Sequence, residues 1–539
     1  MGKPGRTIIE AKPLEEIENL KGKRIDFESV AEMITVRAQE IPDKTHVIFY
    51  DQNITYSQTN GRANRVANYL KSKGISRGDV VSLLIMNSPE IYYTMFGVQK
   101  LGAIAQSINF LLQGPEIAYI LDDSRPKIVF VGSEFMQVFA AGYRLAEYKP
   151  EVVEVITEAE HPENLSSITL QHILETYPDD EALVPQKGED PFLLLYSSGT
   201  TGRPKGILLS NRGQLTLCKS MASLDITTGE DSMLILLPMF HTNPICVWTY
   251  PCTYMGLTLC IRKSFSPADF WPSIVDNRLT YVMGVPAMYS FVFNAIDTSG
   301  LDLSDLRLKY GFCGAAPMPA DLIEKFYSKF NVKIIEAYGL TEACGVSTLN
   351  PPFGKSKAGS IGVALPYHEV TIRDGNNNEM QPGENGEICI KGETVMLRYL
   401  NNEKATAESV VDGWLHTGDM GYMDEEGFLF IVDRKNDIIN RGGENIYPRE
   451  VEILIESYPG VQSVAVIGVQ DPDLGERVKA YIIPSPSAEV NTEELRVYLA
   501  DKLAKYKIPE FVEIVKDLPR SPTGKVLKRE LRKLENKVN

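Results

Sequence analysis

Residues 79–104 read DVVSLLIMNSPEIYYTMFGVQKLGAI and indicate the basic structural unit of the chain. The first seven residues form a short apolar run, which is typical of a strand buried on both faces of a sheet. Residues 90–104 then place apolar side chains at helical spacing, and a glycine near the end of this run marks the end of the predicted helix. A buried strand followed at once by a helix predicts an α/β unit with parallel strands.

The same kind of buried strand recurs along the chain, and several of these strands end in glycine or proline loops. The predicted strands lie at residues 127–133, 233–238, 281–286, 306–314 and 331–339. Ligands in open α/β sheets bind in the crevice outside the carboxyl ends of the strands. We therefore expect the functional residues in the loops that follow these strands.

The pattern changes after about residue 370. Turn residues there separate short alternating strands, which predicts a small antiparallel β-region. From about residue 436 a second α/β run begins, with a helix at 448–458, strands at 461–469 and 478–484, and a capped helix at 491–503. The predicted fold class is α/β. A large N-terminal domain (1–435) contains α/β subdomains and the small β-region, and a small C-terminal α/β domain spans 436–539.

The composition is that of an acidic chain. Its 539 residues carry a formal net charge of −16, and an acidic surface repels phosphate backbones, so nucleic acid is not an expected partner. The seven cysteines are scattered and form no C-x-x-C pair, which predicts reduced thiols in a cytoplasmic protein. The first sixteen residues lack the apolar core of a signal peptide. Nothing in the sequence decides between a monomer and a homodimer.

One stretch looks briefly like a membrane segment. Residues 232–261 contain no Asp, Glu, Lys or Arg. Pro238, Pro244 and Pro251 interrupt the stretch, and such prolines disfavour a spanning helix. We therefore predict a buried strand, a loop and a helix there, and no transmembrane segment.

The stretch YSSGTTGRPKG, residues 196–206, has the composition of an anion-binding loop. Its glycines allow backbone N–H groups to approach an anion closely, and its hydroxyls and two cations add further donors. It matches neither the G-x-x-x-x-G-K-[ST] pattern nor G-x-G-x-x-G. From the residues alone, a phosphate-binding loop and a mobile surface loop remain equal alternatives.

Three further stretches carry residues suited to nucleotide chemistry. In YGLTEACG, residues 338–345, Thr341 and Glu342 suit either a Mg²⁺ site or the capping of a helix. Asp419 is predicted in a glycine-flanked turn, where it could serve as a turn residue or accept hydrogen bonds from a sugar diol. Lys525 is predicted in a turn before a helix, either as a solvated lysine or as a cation delivered to a developing negative charge.

These stretches, in this order and spacing, resemble the AMP-forming adenylate superfamily, which includes acyl- and aryl-CoA synthetases, adenylation domains of peptide synthetases and beetle luciferases. The resemblance covers about residues 25 to 535. It implies attack of a carboxylate on the α-phosphorus of ATP, which gives acyl-AMP and pyrophosphate. A thiol then attacks the acyl carbonyl and releases AMP.

The resemblance implies roles for particular residues of the nucleotide site. The β- and γ-phosphates would be held by Ser197, Ser198, Gly199, Thr200, Thr201, Gly202 and Lys205. Thr341 would contact the α-phosphate and Glu342 would bind Mg²⁺. The adenine would lie against Gly314, Ala315 and Ala316, with Tyr338 stacked on it and Gly339 beside it. Asp419 would accept the ribose hydroxyls, and Arg434 would provide a second ribose contact.

The resemblance also implies a C-terminal domain that serves both half-reactions. Lys525 would bridge the acyl carboxylate and the α-phosphate in the first reaction. Rotation about a hinge at Asn436 would then bring the loop containing Gly442 and Gly443 to the pantetheine tunnel. The family usually has Asp or Lys at the hinge, and Asn tolerates turn geometries.

The implied substrates are ATP with Mg²⁺, coenzyme A and a carboxylic acid. His241 matches the acyl- and aryl-CoA ligase pattern near the acyl pocket, and we expect it to be catalytic. The segments that line this pocket in the family are mostly apolar, which favours a fatty or other hydrophobic acid; they contain Met239, Phe240, Trp248, Val282, Met283, Val285, Cys313 and Val346. Thr242 and Asn243 could instead read a polar group. The open alternatives are loading of a separate carrier protein, an oxygen acceptor, a carnitine-type or aryl acid, and a non-catalytic nucleotide-binding relative.

Overall fold

A computed structural model describes residues 7–538. The described part excludes residues 167, 198–203, 295–302, 317, 442–443, 473, 487, 501 and 521–525.

Short strands make up much of the described chain. In chain order they are β1 (Thr45–Phe49), β2 (Gln52–Thr55), β3 (Val80–Leu84), β4 (Ile104–Ser107), β5 (Ile128–Gly132), β6 (Glu151–Val155), β7 (Pro191–Ser197), β8 (Lys205–Ser210), β9 (Ser232–Ile235), β10 (Thr258–Ile261), β11 (Tyr281–Gly284), β12 (Tyr310–Cys313), β13 (Lys333–Tyr338), β14 (Thr348–Leu349), β15 (Val363–Ala364), β16 (Glu369–Arg373), β17 (Gly386–Lys391), β18 (Arg398–Tyr399), β19 (Val410–Val411), β20 (Trp414–Met423), β21 (Leu429–Arg434), β22 (Ile439–Arg441), β23 (Glu444–Ile446), β24 (Val461–Asp471), β25 (Gly475–Pro484) and β26 (Phe511–Ile514).

The α-helices alternate with these strands through most of the chain. In chain order they are α1 (Val30–Glu40), α2 (Tyr56–Ser72), α3 (Pro89–Lys100), α4 (Gly114–Ser124), α5 (Met136–Leu145), α6 (Leu170–Thr176), α7 (Asn211–Ser223), α8 (Tyr250–Met255), α9 (Pro267–Asp276), α10 (Pro286–Asn294), α11 (Ala320–Phe330), α12 (Glu403–Ser409), α13 (Pro448–Glu456), α14 (Thr492–Ala500) and α15 (Lys528–Val538).

The stretch 79–104 forms the predicted strand and helix. β3 is followed by α3, which begins with Pro89, where proline is tolerated because the first N–H groups of a helix have no intrahelical partner. The chain turns back at Gly102, whose φ of 67° lies in the left-handed region. β3 pairs in parallel with both β4 and β5, so the prediction of a parallel sheet is confirmed here.

Two large sheets carry this alternation. The first has the order β18-β8-β7-β4-β3-β5-β6 and the second the order β15-β14-β13-β12-β11-β9-β10-β1-β2. The central strands of both pair in parallel. Antiparallel strands occupy both edges of the second sheet and one edge of the first, whose other edge strand, β6, pairs in parallel with β5. The second sheet is covered by aromatic side chains of α9 and α11, where the rings of Trp271 and Phe330 lie 4.3 Å apart.

The stretch 232–261 forms the predicted buried strand, loop and helix, and it ends in a second strand that was not predicted. β9 leads to a loop and a π-helical turn at Asn243–Thr249, then to α8 and β10. No helix in the described part of the chain is long and apolar enough to span a membrane.

The predicted antiparallel β-region after residue 370 is also present. Its strands have the order β16-β17-β20-β19, with β21 paired to β20. The last part of the chain has its own sheet, in the order β23-β22-β25-β24 with β26 paired to β25. Apolar side chains of α13 and α14, such as Val451 and Leu495, pack in one buried cluster with the strands of this sheet.

The contacts divide the chain into two compact units. The first contains residues 1–370, 389–415 and 425–428, and the second contains residues 371–388, 416–424 and 429–539.

Candidate functional site

A tight turn follows β13 and places the side chains of the YGLTEACG stretch. Its first glycine is required by packing, because a Cβ on Gly339 would lie 2.4 Å from the carbonyl oxygen of Gly345. The Gly345 N–H donates to the Leu340 carbonyl, which closes the turn. Thr341 and Glu342 lie in a single 3₁₀ turn, Thr341–Ala343. The N-cap of this turn is Leu340 and no side chain caps it, so the alternative in which Thr341 or Glu342 caps a helix is wrong.

Glu342 and Thr341 each receive a hydrogen bond from a distant part of the first unit. The Tyr399 hydroxyl donates to Glu342 Oε1 at 2.9 Å, and the Thr242 hydroxyl donates to Thr341 Oγ1 at 2.6 Å. Burial, together with the nearby Glu342 carboxylate, raises the pKa of Tyr399. Tyr399 therefore stays protonated and acts as a donor that holds the carboxylate in place.

A lysine lies over the Tyr399 ring. Lys205 Nζ is 4.8 Å from the ring centroid, which is a cation–π distance. Lys205 begins β8 and pairs in register with Ser197 at the end of β7. The two ends of the 198–203 segment are thus adjacent. Ser198, Gly199, Thr200, Thr201 and Gly202, which the sequence assigns to the phosphates, lie outside the described residues.

The residues around Tyr399 fit a nucleotide with its Mg²⁺. Mg²⁺ at nucleotide sites commonly takes one or two carboxylates from the protein and its other ligands from phosphate oxygens and water. Glu342 supplies one half-buried carboxylate, and Lys205 supplies a cation for phosphate charge. When bound, Mg²⁺ would neutralise negative charge that develops on the phosphates.

The predicted adenine segment lies at the carboxyl end of β12. Ala315 and Ala316 are exposed, and Ala315 has a φ of 68°. A non-glycine residue in the left-handed region costs about 1 kcal/mol or more, and such strain occurs often at binding sites. Tyr338 ends the neighbouring strand β13 and is half-buried. The structure thus brings Gly314, Ala315, Ala316 and Tyr338 to the carboxyl ends of two adjacent parallel strands.

His241 lies in the loop after β9. Its ring packs against Phe240, with centroids 4.3 Å apart, and burial lowers its pKa to about 4. The imidazole is therefore neutral at pH 7 and can exchange hydrogen bonds with a ligand without carrying a charge. Its Nε2 atom is shielded from solvent and has no hydrogen-bond partner among the described residues.

Glu336 is a buried acid two residues before Tyr338, on the same face of β13. The Gly359 N–H donates to its Oε2 at 3.3 Å, and the backbone of Met318 provides a second bond. Burial outweighs these bonds and raises the pKa of Glu336 to about 7. The sequence contained no signal for this, because an acid in a predicted strand gives no indication of its burial.

We expect Glu336→Gln to stabilise the protein at pH 8 but not at pH 4.5. Between pH 4.5 and 7 the folded state keeps a proton that the unfolded state has lost, so wild-type stability falls as pH rises through this window. Glutamine avoids the loss, which amounts to about 3 kcal/mol. Melting temperatures of the two proteins from pH 4.5 to 8 measure the difference. The matched control is Glu324→Gln on the exposed face of α11, which should follow the wild-type curve. Parallel curves for Glu336→Gln and wild type would contradict the expectation.

Asp419 and Arg434 pair within the second unit. They face each other across β20 and β21, and Arg434 Nε lies 2.5 Å from Asp419 Oδ1. The expectation that Asp419 lies in a turn is wrong, because its backbone belongs to β20 and pairs with β21. Gly418, the glycine that suggested a turn, does have a positive φ of 74°. Asp419 is only 3% exposed, and the ion pair with Arg434 holds its carboxylate in place.

A glutamate that the sequence analysis missed supports this pair. Glu387 Oε1 accepts from the Gly418 N–H at 2.9 Å, and Oε2 accepts from Lys435 at 2.9 Å and contacts His416 Nδ1 at 3.0 Å. Burial opposes ionisation of Glu387, but these bonds outweigh it and lower the pKa of the carboxyl. Glu387 thus fixes the residues directly next to Asp419 and Arg434.

Three more of the predicted site residues, Lys525, Gly442 and Gly443, also lie outside the described residues. The segments that flank them are described. β22 before residues 442–443 pairs antiparallel with β23 after them, and Arg520 before residues 521–525 forms an isolated antiparallel β-bridge with Val526 after them.

Two sequence profiles match the chain. The profile of the family described as AMP-binding enzyme matches residues 34–400, and that of the AMP-binding enzyme C-terminal domain matches residues 450–525. A long-chain-fatty-acid–CoA ligase of Mycobacterium tuberculosis is 37% identical over 483 residues, which are 89% of this chain and 93% of that protein. A feruloyl-CoA synthase of an Amycolatopsis species is 33% identical over 505 residues, 92% of this chain and 97% of that protein.

Solved structures agree with the sequence matches. The o-succinylbenzoate coenzyme A synthetase of Bacillus subtilis, solved in complex with ATP and magnesium ion, superposes with a TM-score of 0.81 at 29% identity, covering 93% of this chain and 98% of that one. The first sequence profile spans more than half of the chain, and both named relatives match over most of their length. The predicted resemblance is confirmed: the chain belongs to the AMP-binding enzyme family, the adenylate-forming enzymes.

Proposed function

We propose that the protein is an ATP-dependent carboxylic acid:CoA ligase. In the first step an acid carboxylate oxygen attacks the α-phosphorus of ATP, and pyrophosphate leaves. In the second step the CoA thiolate attacks the acyl carbonyl and AMP leaves, which yields the acyl-CoA. The observation that carries the proposal is the arrangement around Tyr399. Its hydroxyl donates to the Glu342 carboxylate, and the Lys205 ammonium lies over its ring. Membership of the family supports the reaction class.

The first step asks the protein to position charges rather than to move protons. A carboxylate is already ionised at pH 7, so no general base is required. We assign Glu342 to Mg²⁺, Thr341 to the α-phosphate and Lys205, with Ser197, to the outgoing phosphates. The Thr242 hydroxyl orients Thr341, and the Tyr399 hydroxyl orients Glu342. His241, neutral because its pKa is lowered, supplies a hydrogen bond beside the acyl group.

The ribose contact is assigned to the second unit. Asp419 is a buried carboxylate whose Oδ1 is held by Arg434, so a diol would meet a fixed acceptor. Glu387 prevents the Gly418 backbone from shifting by accepting its N–H.

We further propose that the chain turns about Asn436 between the two steps, with domains of 1–435 and 436–539. The residues on either side of Asn436 each form an ion pair, Lys435 with Glu387 at 2.9 Å and Asp437 with Arg532 at 2.9 Å. Since Glu387 precedes Asn436 in the chain and Arg532 follows it, a rotation at Asn436 breaks neither ion pair. Lys525 would serve the first step, and the segment with Gly442 and Gly443 the second.

The acid is proposed to be hydrophobic, either fatty or aromatic. The side chains expected around it are apolar and buried, among them Met239, Trp248, Met283 and Cys313. We place the reaction in the cytoplasm, because all seven cysteines are buried free thiols and thiols persist in reducing compartments.

The test is a product analysis. The protein is incubated with ATP, Mg²⁺ and a pool of carboxylic acids, with and without CoA, and the products are read by mass spectrometry. We expect an acyl-CoA and AMP only when CoA is present. Acyl-AMP that persists beside CoA would indicate loading of another acceptor, such as a carrier protein. Absence of AMP with every acid would overturn the proposal.

A further inference from the structure

The side chain of Asn243 lies where three parallel strands end. A Cβ placed on Gly314 would lie 3.2 Å from the Ala337 carbonyl oxygen, 3.8 Å from Asn243 Nδ2 and 3.9 Å from the terminal methyl of Met283. Met283, Gly314 and Ala337 lie at the carboxyl ends of the neighbouring strands β11, β12 and β13. The amide of Asn243 thus borders the crevice in which open α/β sheets bind ligands.

The side-chain carbonyl oxygen of Asn243, Oδ1, is shielded from solvent and has no hydrogen-bond partner among the described residues. Nearly all buried side-chain oxygens in folded proteins do have one, so an exception calls for an explanation. Asn243 also begins a π-helical turn, a rare local structure that is often found at functional sites.

Two other polar groups near Asn243 are already engaged. The Thr242 hydroxyl donates to Thr341, and the Trp248 indole N–H points to the Met283 sulfur at 2.8 Å. The preceding residues Met239 and Phe240 of the same loop are apolar and buried. The polar atoms of this loop that lack a partner among the described residues are thus Asn243 Oδ1 and His241 Nε2, and of these His241 is assigned to the acyl group, which leaves Asn243 for a further polar group of the ligand.

We propose that Asn243 is a specificity-determining residue that hydrogen-bonds a hydroxyl group on the hydrophobic part of the acid. The inference rests on the proposed ligase function and narrows its substrate class to hydroxylated aliphatic or aromatic acids. A hydroxyl suits the site because it donates to Oδ1 and can accept from Nδ2 of the same amide. An acid without the hydroxyl leaves Oδ1 unpaired. A site that hydrogen-bonds a substrate hydroxyl discriminates against analogues that lack the hydroxyl.

The experiment compares matched acids on the full-length protein. The pairs are decanoic acid with 3-hydroxydecanoic and 10-hydroxydecanoic acids, and 3-phenylpropanoic acid with its 4-hydroxyphenyl analogue. Pyrophosphate release gives kcat/KM for each acid on wild type, Asn243→Leu and Asn243→Ala. In at least one pair, we expect wild type to prefer the hydroxylated member by about tenfold or more. Both variants should remove that preference by lowering kcat/KM for the hydroxylated acid alone.

Each other outcome overturns the inference, and the result shows whether the proposed ligase function fails with it. Turnover of the acids with no hydroxyl preference in wild type, or a preference that survives in both variants, removes the role of Asn243 while the ligase function stands. Wild type that releases no pyrophosphate with any acid overturns the proposed function as well. The alanine variant covers the case in which leucine prevents folding, which circular dichroism reveals.

Discussion

Lys525→Ala is expected to lower the rate of acyl-AMP formation by about 10² to 10³. Attack of the carboxylate on the α-phosphorus concentrates negative charge at one centre, and a lysine cation there offsets it. Formation of the thioester from supplied acyl-AMP should change only a few-fold, because the proposed role of Lys525 ends with the first step. Pyrophosphate release measures the first reaction, and acyl-CoA formed from synthetic acyl-AMP measures the second.

Two variants make this experiment specific. Gly443→Trp should have the opposite pattern, with acyl-AMP formation preserved and thioester formation lost, because the proposed role of its segment is at the pantetheine tunnel. Lys533→Ala is the control for removal of a cation, since Lys533 is exposed on α15 and its ion pair within the described part of the chain is with nearby Glu530. It should leave both reactions unchanged. Equal loss of both reactions in Lys525→Ala and Gly443→Trp would refute the alternation of the two segments.

Glu342→Gln is expected to lower kcat/KM for ATP by about 10²-fold and to raise the Mg²⁺ concentration needed for half-maximal rate. Glutamine keeps the shape of the side chain and can still accept the hydrogen bond from Tyr399. It removes the negative charge that would attract the cation. A Mg²⁺ titration of pyrophosphate release, at fixed ATP and acid, measures both effects.

The matched variant for this change is Tyr399→Phe. It removes the hydroxyl that donates to Glu342 at 2.9 Å but keeps the ring that lies 4.8 Å from Lys205. The half-buried carboxylate can be rehydrated, so we expect a loss of no more than about tenfold and little change in Mg²⁺ dependence. A Glu342→Gln protein with the Mg²⁺ dependence of wild type would rule out Glu342 as a Mg²⁺ ligand.

The fold class was readable from local pattern. Burial periodicity along a strand or helix is a property of neighbouring residues, and this is why β3, α3, β13 and α13 were predicted near their observed positions. The order of the motifs was likewise sufficient to identify the family, because it depends on residue types and spacing alone.

Local pattern failed where the backbone conformation depends on a partner strand. Asp419 was expected in a turn because glycine precedes it, yet pairing with Arg434 places it inside β20. The π-helical turn at Asn243–Thr249 was expected only as loop and helix, since its register depends on how it packs.

The contacts that define the candidate site come from distant parts of the chain. Tyr399 is 57 residues from Glu342, and Lys435 is 48 residues from Glu387. The order of strands in a sheet sets which distant residues become neighbours, and no short window of sequence encodes that order. Residue types and their sequence order were thus sufficient for the α/β class and the family, and the residues proposed for ATP stay a prediction. Long-range packing was needed to reveal the Tyr399 hydrogen bond to Glu342, the burial of Glu336 and, within the described part of the chain, the unpaired Oδ1 of Asn243.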